Sequence, residues 1–330
     1  MALPDPADPL APVRTRPAMW IGTTDTPGLT QLVSEALGWA VDEHLAGFAR
    51  RVDVRIHGAE IELEDDGRGV PGEGAGGGPT LDQLVTTLGP LAGTAMLRGA
   101  GFALANALSE RFEIESRHDG VAWGATFSRG QVVVPVHVLG QTTARGLRVR
   151  FRPDQQTFAA PIVDESALEA RIEQLAWLTP RLAWFLQGRS KQRADGLEGL
   201  VVANAPTPLL PGTLFAVAGE AQGVQLHAAV GLASGRRGKR VGFVNFARVD
   251  GGAHVRGVAR GARRAFPGAP TSLERRLVTA VHVGLPAPHF VGTVRRQLSD
   301  DTVEQVVLKH VELALRDQDD LRISWLQALT

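Results

Sequence analysis

The stretch Leu63-Glu64-Asp65-Asp66-Gly67-Arg68-Gly69-Val70-Pro71 concentrates the chemistry of this 330-residue chain. Apolar alternation in Val52-Asp53-Val54-Arg55-Ile56 and in Ile61-Glu62-Leu63 predicts two strands. The second runs straight into a carboxylate and two glycines around an arginine. That order suits a flat, nitrogen-rich ligand laid against bare backbone. Asp65 would accept a hydrogen bond from an exocyclic amine, and Gly67 and Gly69 lack the Cβ atoms that would block the approach. Taken alone, Asp-x-Gly-x-Gly fits a solvated turn after a strand equally well.

These residues need elements to position them. Residues 27–48 read as one long amphipathic helix, with Leu29, Leu32, Val33, Leu37, Ala40, Val41 and Leu45 at helical spacing. The same helix carries Glu35, Trp39 and Glu43. Strands are predicted over 51–57 and 60–65, then a glycine loop over 72–78. A short helix over 80–88 precedes Gly99-Ala100-Gly101, which opens a helix over 102–109. Strands over 111–117, 121–128, 131–138 and 146–152 and a helix over 165–178 follow. The Pro-rich segment 205–211 reads as a linker. Beyond it, strands are expected near 213–219, 225–232, 240–246 and 277–284, and helices over 253–265 and 301–316. The expected organisation is an extended arm over 1–12, a first domain over 13–204 and a second over 211–330.

Composition narrows the class. An apolar content of 44% and a charged content of 21% fit a globular protein with a full core. No apolar run is long enough to span a membrane, and the first residues have neither a basic start nor an apolar block, so the expected location is cytoplasmic. Cysteine is absent, which excludes disulfides and thiolate metal sites, and the nine histidines show no zinc-binding spacing, so no metal site is assigned. Net charge is zero, but residues 201–330 carry 16 Lys and Arg against 10 Asp and Glu, an excess of six that the first 200 residues offset. This excess includes Arg236, Arg237, Lys239 and Arg240, then Arg248, Arg256, Arg260, Arg263 and Arg264. It is read either as a surface for a phosphate backbone or as an ordinary solvated face.

Four further stretches accompany the Asp65 motif in a fixed order. They are Arg14-Thr15-Arg16-Pro17-Ala18-Met19-Trp20-Ile21-Gly22, Glu35 through Gly47, Gly99 through Ser109, and Val241 through Phe246 with Asp250-Gly251-Gly252-Ala253-His254. The set resembles the N-terminal ATPase region of the gyrase B and topoisomerase IV B subunits across nearly the whole chain. The resemblance implies an α+β fold: a Bergerat-type (GHKL) α/β sandwich with a mixed sheet, then an α/β transducer domain of the ribosomal-protein-S5-domain-2-like type. It implies ATP or ADP as ligand. DNA strand cleavage is not expected, because the family cuts with a tyrosine and this chain has none.

Residue by residue, the resemblance assigns adenine holding to Asp65, Gly67 and Gly69, with Arg68 at the pocket mouth paired to Glu43. Glu35 stands at the general base, and Gly99 and Gly101 at the phosphate-facing helix start. Four positions depart from the family pattern. Trp39 replaces the asparagine that ligates magnesium, and an indole offers only an N–H donor. Met96 replaces the first glycine of the lid motif. Leu147 replaces a threonine that helps hold the base. Val294 replaces the lysine that reaches the terminal phosphate. Magnesium binding is therefore doubtful, and Glu35 is a would-be base without the rest of its site. The N-terminal arm is short, which leaves dimerisation open. Three readings remain: a degenerate, nucleotide-binding regulatory protein that associates with DNA, a topoisomerase or a pathway-specific protein; a slow but genuine ATP-hydrolysing clamp; and a nucleotide-free interaction module.

Overall fold

The computed structural model describes residues 8–74, 78–89, 100–292 and 296–329. Its contacts divide the chain into two compact units, 1–192 and 193–330. The division falls before the helix at 196–204, which packs on the sheet of the second unit, whereas the linker composition had suggested a boundary at 205–211.

In the first unit, short helices α1 (Ala11–Thr15) and α2 (Ala18–Ile21) precede α3 (Thr26–Ala36) and α4 (Gly38–Leu45). The hairpin β1 (Arg51–His57) and β2 (Glu60–Asp65) follows, then α5 (Leu81–Thr86) and α6 (Gly101–Ala107). Next come β3 (Ser109–His118), β4 (Val121–Ser128), β5 (Gln131–Gln141), β6 (Gly146–Pro153), α7 (Glu165–Leu178), β7 (Ala183–Leu186) and β8 (Arg189–Ser190). The sheet order is β5-β4-β3-β6-β2-β1-β7-β8, antiparallel except where β7 runs parallel to β1.

Strand alternation gives this sheet two different faces. Ile61 and Leu63 of β2 stand beside Phe151 and Val149 of β6, all buried on the side covered by helices. Between them, Glu62 and Glu64 stand beside Arg150 and Arg148 on the opposite face. There Arg55, Arg148 and Arg150 converge on the buried Glu62 at 2.6, 2.8 and 2.6 Å. Burial would raise the Glu62 carboxyl, but the three guanidinium groups hold it down at about 2.

The single helix expected over 27–48 is two helices. The backbone ladder loosens at Leu37, whose N–H reaches both Val33 O and Glu35 O, and Gly38 opens the next segment. Just before this break, Gly101 at the start of α6 lies against the Glu35 carbonyl, and a Cβ there would collide with it. Local chemistry explains other boundaries. Asp25 and Asp164 cap α3 and α7 through the N–H groups of Gly28 and Ala167, and Thr80 with Gln83 forms a capping box on α5.

The second unit opens with α8 (Gly196–Asn204), then β9 (Phe215–Ala221), β10 (Val224–Leu232), β11 (Arg240–Val244), β12 (Ala247–Val249) and β13 (Gly251–Gly252). It continues with α9 (Ala253–Ala265), α10 (Ser272–Arg276), β14 (Leu277–Gly284), β15 (Gln297–Leu298), α11 (Asp301–Asp317) and α12 (Asp319–Leu329). Its five-stranded sheet runs β12-β11-β14-β10-β9, with β11 parallel to β14. Helices α9 and α11 pack closely because Gly257 and Gly261 face Val307 and Val311, leaving no room for a Cβ. Trp325 of α12 stacks on Phe266 at 5.8 Å and donates its indole N–H to Thr213 O.

Candidate functional site

Strand β2 ends with Asp65 on the helix-covered face, in line with Ile61 and Leu63. Its carboxylate is 7% exposed and accepts from the Gly67 N–H at 2.8 Å. Burial pushes the Asp65 carboxyl up to about 7. The Glu43 charge adds to that rise, and the backbone N–H groups of Gly67 and Leu147 oppose it. Leu147, on β6, contributes an apolar side chain to the same place.

The glycines after Asp65 are required by crowding. A Cβ on Gly67 would stand 2.7 Å from Asp65 Oδ1 and 2.9 Å from Glu43 Oε2. Gly69 adopts φ +67°, and a Cβ there would meet Arg117 O at 2.5 Å. Ser116 of β3 holds the turn: its hydroxyl accepts from the Val70 N–H at 2.7 Å and donates to Val70 O at 2.6 Å. Sequence reasoning passed over Ser116, because nothing local marks a strand serine as the support of a loop 46 residues earlier.

Glu43 of α4 is buried and accepts from both the Arg68 backbone N–H, at 2.8 Å, and its guanidinium, at 2.7 Å. The guanidinium also lies over the Phe48 ring, 4.1 Å from its centre. This pair therefore fixes the turn as well as charge at its edge, beyond what an exposed ion pair does.

Glu35 is half-buried on α3 and accepts from Gln31 Nε2 at 2.5 Å. On α7, burial lowers the Arg171 guanidinium from its ordinary value, and the Glu35 carboxylate raises it again. The would-be base thus already interacts with an amide and a nearby cation. Trp39, four residues on, is 6% exposed and tilts against Phe102 of α6, ring centres 6.5 Å apart. Among the described residues its buried indole N–H has no acceptor.

Between Asp65 and Phe102 lies a cavity of about 10 Å³, walled by Ala36, Leu37, Ala40, Leu63, Leu147 and Val149. That is room for about one water, against about 300–1,000 Å³ for typical small-molecule pockets. A magnesium ion finds no oxygen on Trp39, and among the described residues no group of three or more His, Asp or Glu could hold a metal ion. Met96, Gly99 and Val294 lie outside the described residues. Gly101 is described, and it meets the Glu35 carbonyl.

In the second unit, Arg236, Arg237 and Lys239 are exposed between β10 and β11, and Arg240 at the start of β11 donates to Glu274 O. The arginines of α9 differ from the free basic face that their sequence suggests. Arg256 binds Glu304 at 2.9 Å, Arg260 binds the same carboxylate, and Arg263 and Arg264 lie near Glu274 and Glu312. No helix among the described residues is long and apolar enough to cross a membrane.

Comparison with known proteins agrees with this architecture. Residues 24–157 match the family of histidine kinase-, DNA gyrase B- and HSP90-like ATPases. The chain is 32% identical to the type 2 topoisomerase B subunit of Aquifex aeolicus over 89% of its own length and 42% of that protein's. It is 38% identical to the DNA gyrase B subunit of Thermotoga maritima over 52% of its length and 29% of that protein's. It therefore spans less than half of either relative. Among solved structures, the 43K ATPase domain of Thermus thermophilus gyrase B, in complex with an aminocoumarin, superposes with a TM-score of 0.80 at 29% identity. That match covers 97% of this chain and 93% of the other. The DNA gyrase B subunit of Myxococcus xanthus shares the fold, with a TM-score of 0.79 at 24% identity.

Proposed function

The chain belongs to the gyrase-B-like members of the histidine kinase, gyrase B and HSP90 ATPase family, and we propose that it works as a binding or regulatory module rather than an efficient ATPase. One observation carries this reading: Trp39, four residues beyond Glu35 and past the break at Leu37, is buried against Phe102. Glu35 stands near the end of α3, and Trp39 on α4, past that break. There an indole supplies bulk and an N–H donor, where holding a metal–phosphate group needs a compact oxygen ligand. Glu35 can draw a proton from water only when the water is held against a phosphate.

Within this reading, Asp65, Gly67, Gly69 and the Glu43–Arg68 pair keep the groups that would recognise the base of ATP or ADP, without dependence on magnesium. Gly99 and Gly101 would face the phosphates, Met96 and Val294 would weaken the grip on them, and Leu147 would weaken the hold on the base. The two domains would be cytoplasmic. The exposed Arg236, Arg237, Lys239 and Arg240 segment would contact a DNA backbone or an acidic surface of a topoisomerase-like partner. The small volume beside Asp65 favours the nucleotide-free interaction module as the second reading.

The test is hydrolysis by the purified chain. ATP turnover should stay near background with or without magnesium, and Glu35→Ala should change it by less than about twofold. In a working site the loss of a general base costs about 10²–10⁴-fold. A robust magnesium-dependent rate abolished by Glu35→Ala would sink the proposal.

A further inference from the structure

We infer that Phe102 is a built-in stopper at the base end of the pocket, so that an adenine-type base reaches Asp65 only when this one side chain gives way. The inference rests on reading the pocket as a site for a nitrogen-rich base, and it concerns how access is controlled.

The walls have the chemistry of such a site. Ala36, Ala40, Leu63, Leu147 and Val149 present aliphatic surface, and Asp65 is the carboxylate set among them. Aliphatic walls sandwich a flat ring, and a fixed carboxylate accepts from its exocyclic amine. What is missing is space. Only about 10 Å³ remains, and the Phe102 ring lines it.

The backbone explains how Phe102 comes to stand there. Gly101 sits directly on the Glu35 carbonyl, which brings the first turn of α6 against the end of α3. The Phe102 side chain lines the pocket, and the Trp39 ring lies 6.5 Å from it, centre to centre. Phe102 is 4% exposed, so its ring lies within the apolar interior.

Asp65 argues that this is a covered site rather than an ordinary core. Asp65 holds the Gly67 N–H, yet a buried carboxylate among aliphatic walls is costly beyond what that turn requires. The same carboxylate is explained if the box still admits a base that hydrogen-bonds to it. Phe102 then plays the part of the absent ring, as an aromatic surface that keeps the walls apart.

The experiment uses the full chain and adenosine, with no phosphate and no metal, so that the Trp39 end is not probed. Isothermal titration would compare the unaltered protein with Phe102→Val, Phe102→Leu and the double variant Phe102→Val/Asp65→Asn. We expect Phe102→Val to bind adenosine at least about tenfold more tightly than the unaltered chain. It should prefer adenosine to inosine, which lacks the exocyclic amine, by at least about tenfold, and the double variant should lose both gains. Phe102→Leu keeps a large apolar side chain, and it carries the same test if the valine variant fails to fold. Folded variants that bind adenosine no better than the unaltered chain overturn the proposal, as does an unaltered chain that already binds adenosine as tightly. Failure of the wider reading is a separate result, visible as magnesium-dependent ATP hydrolysis by the unaltered protein.

Discussion

Replacing Asp65 by asparagine should stabilise the first unit at alkaline pH and should do so less in mild acid. The carboxyl titrates at about 7 in the folded chain against 3.8 for an ordinary aspartate. Between those values the folded state binds more protons than the unfolded state, so stability is fullest below 3.8 and falls as pH rises towards 7. At pH 8, ionising Asp65 removes about 4 kcal/mol of stability relative to its protonated form, and at pH 5 about 2 kcal/mol. Asparagine keeps an oxygen for the Gly67 N–H and carries no charge, so neither loss applies to it. The advantage of the variant should therefore be larger at pH 8 than at pH 5 by roughly 2–3 kcal/mol. For a unit of this size that is a difference of roughly 5–10 °C in Tm. Urea unfolding followed by circular dichroism at both pH values, with scanning calorimetry as a cross-check, measures it. If the variant and the unaltered chain differ by the same amount at both pH values, Asp65 is not an uncompensated buried carboxylate.

Two further outcomes concern the groups that hold each unit. Glu62→Gln should destabilise the first unit by about 2–3 kcal/mol at pH 7, less than for a fully buried pair because Arg55, Arg148 and Arg150 remain partly in water. The cost should fade as pH drops towards 2, where Glu62 is itself protonated, and urea titration across pH checks both statements. In the second unit, burial lowers the His282 imidazole to about 3, with His227 and His254 adding to the effect, so stability is lost as pH falls below 6.5. His282→Gln should shrink the loss between pH 7 and 4.5 by roughly 2–3 kcal/mol, and an unchanged acid limb in calorimetry would contradict this.

Local patterns read well from the sequence where their causes are local. Strand alternation located β1, β2 and β4 at their ends, and helical spacing did the same for α7 and α9. The break at Leu37 was hidden, because the apolar spacing runs through it and the close contact beside it comes from a glycine far along the chain, Gly101. Strand β7, Ala183–Leu186, is too short to alternate visibly and exists by pairing parallel to β1. Helix α8 contains two glycines of its own and is drawn to the second unit by packing. At the site, Asp65 and its glycines stood out as a motif. Phe102 did not, since an aromatic in the first turn of a helix is ordinary core until the cavity beside it is seen. The arginines of α9 looked like a free basic face because their partners, Glu304 and Glu312, lie on a distant helix of the sequence, α11.

The alternation of β6 explains how this pocket could change while the fold stayed. Leu147 and Val149 point into the pocket, and Arg148 and Arg150 point to the other face, where they grip Glu62. The Arg148 and Arg150 grip on Glu62 thus lies on the face of β6 opposite Leu147 and Val149. Substitutions on the pocket side are felt only through packing, and there a large side chain has an advantage. Each Å³ of void left in a core costs about 24 cal/mol, so Trp39, Phe102 and Leu147 stabilise the unit in proportion to the space they fill. Packing alone would carry that process to its end and replace Asp65 as well. Asp65 remains, buried and costly, on the one wall where a base would be recognised. Stability accounts for the filled pocket; Asp65 holds the turn after β2 through the Gly67 N–H, and under our proposal it also recognises a base.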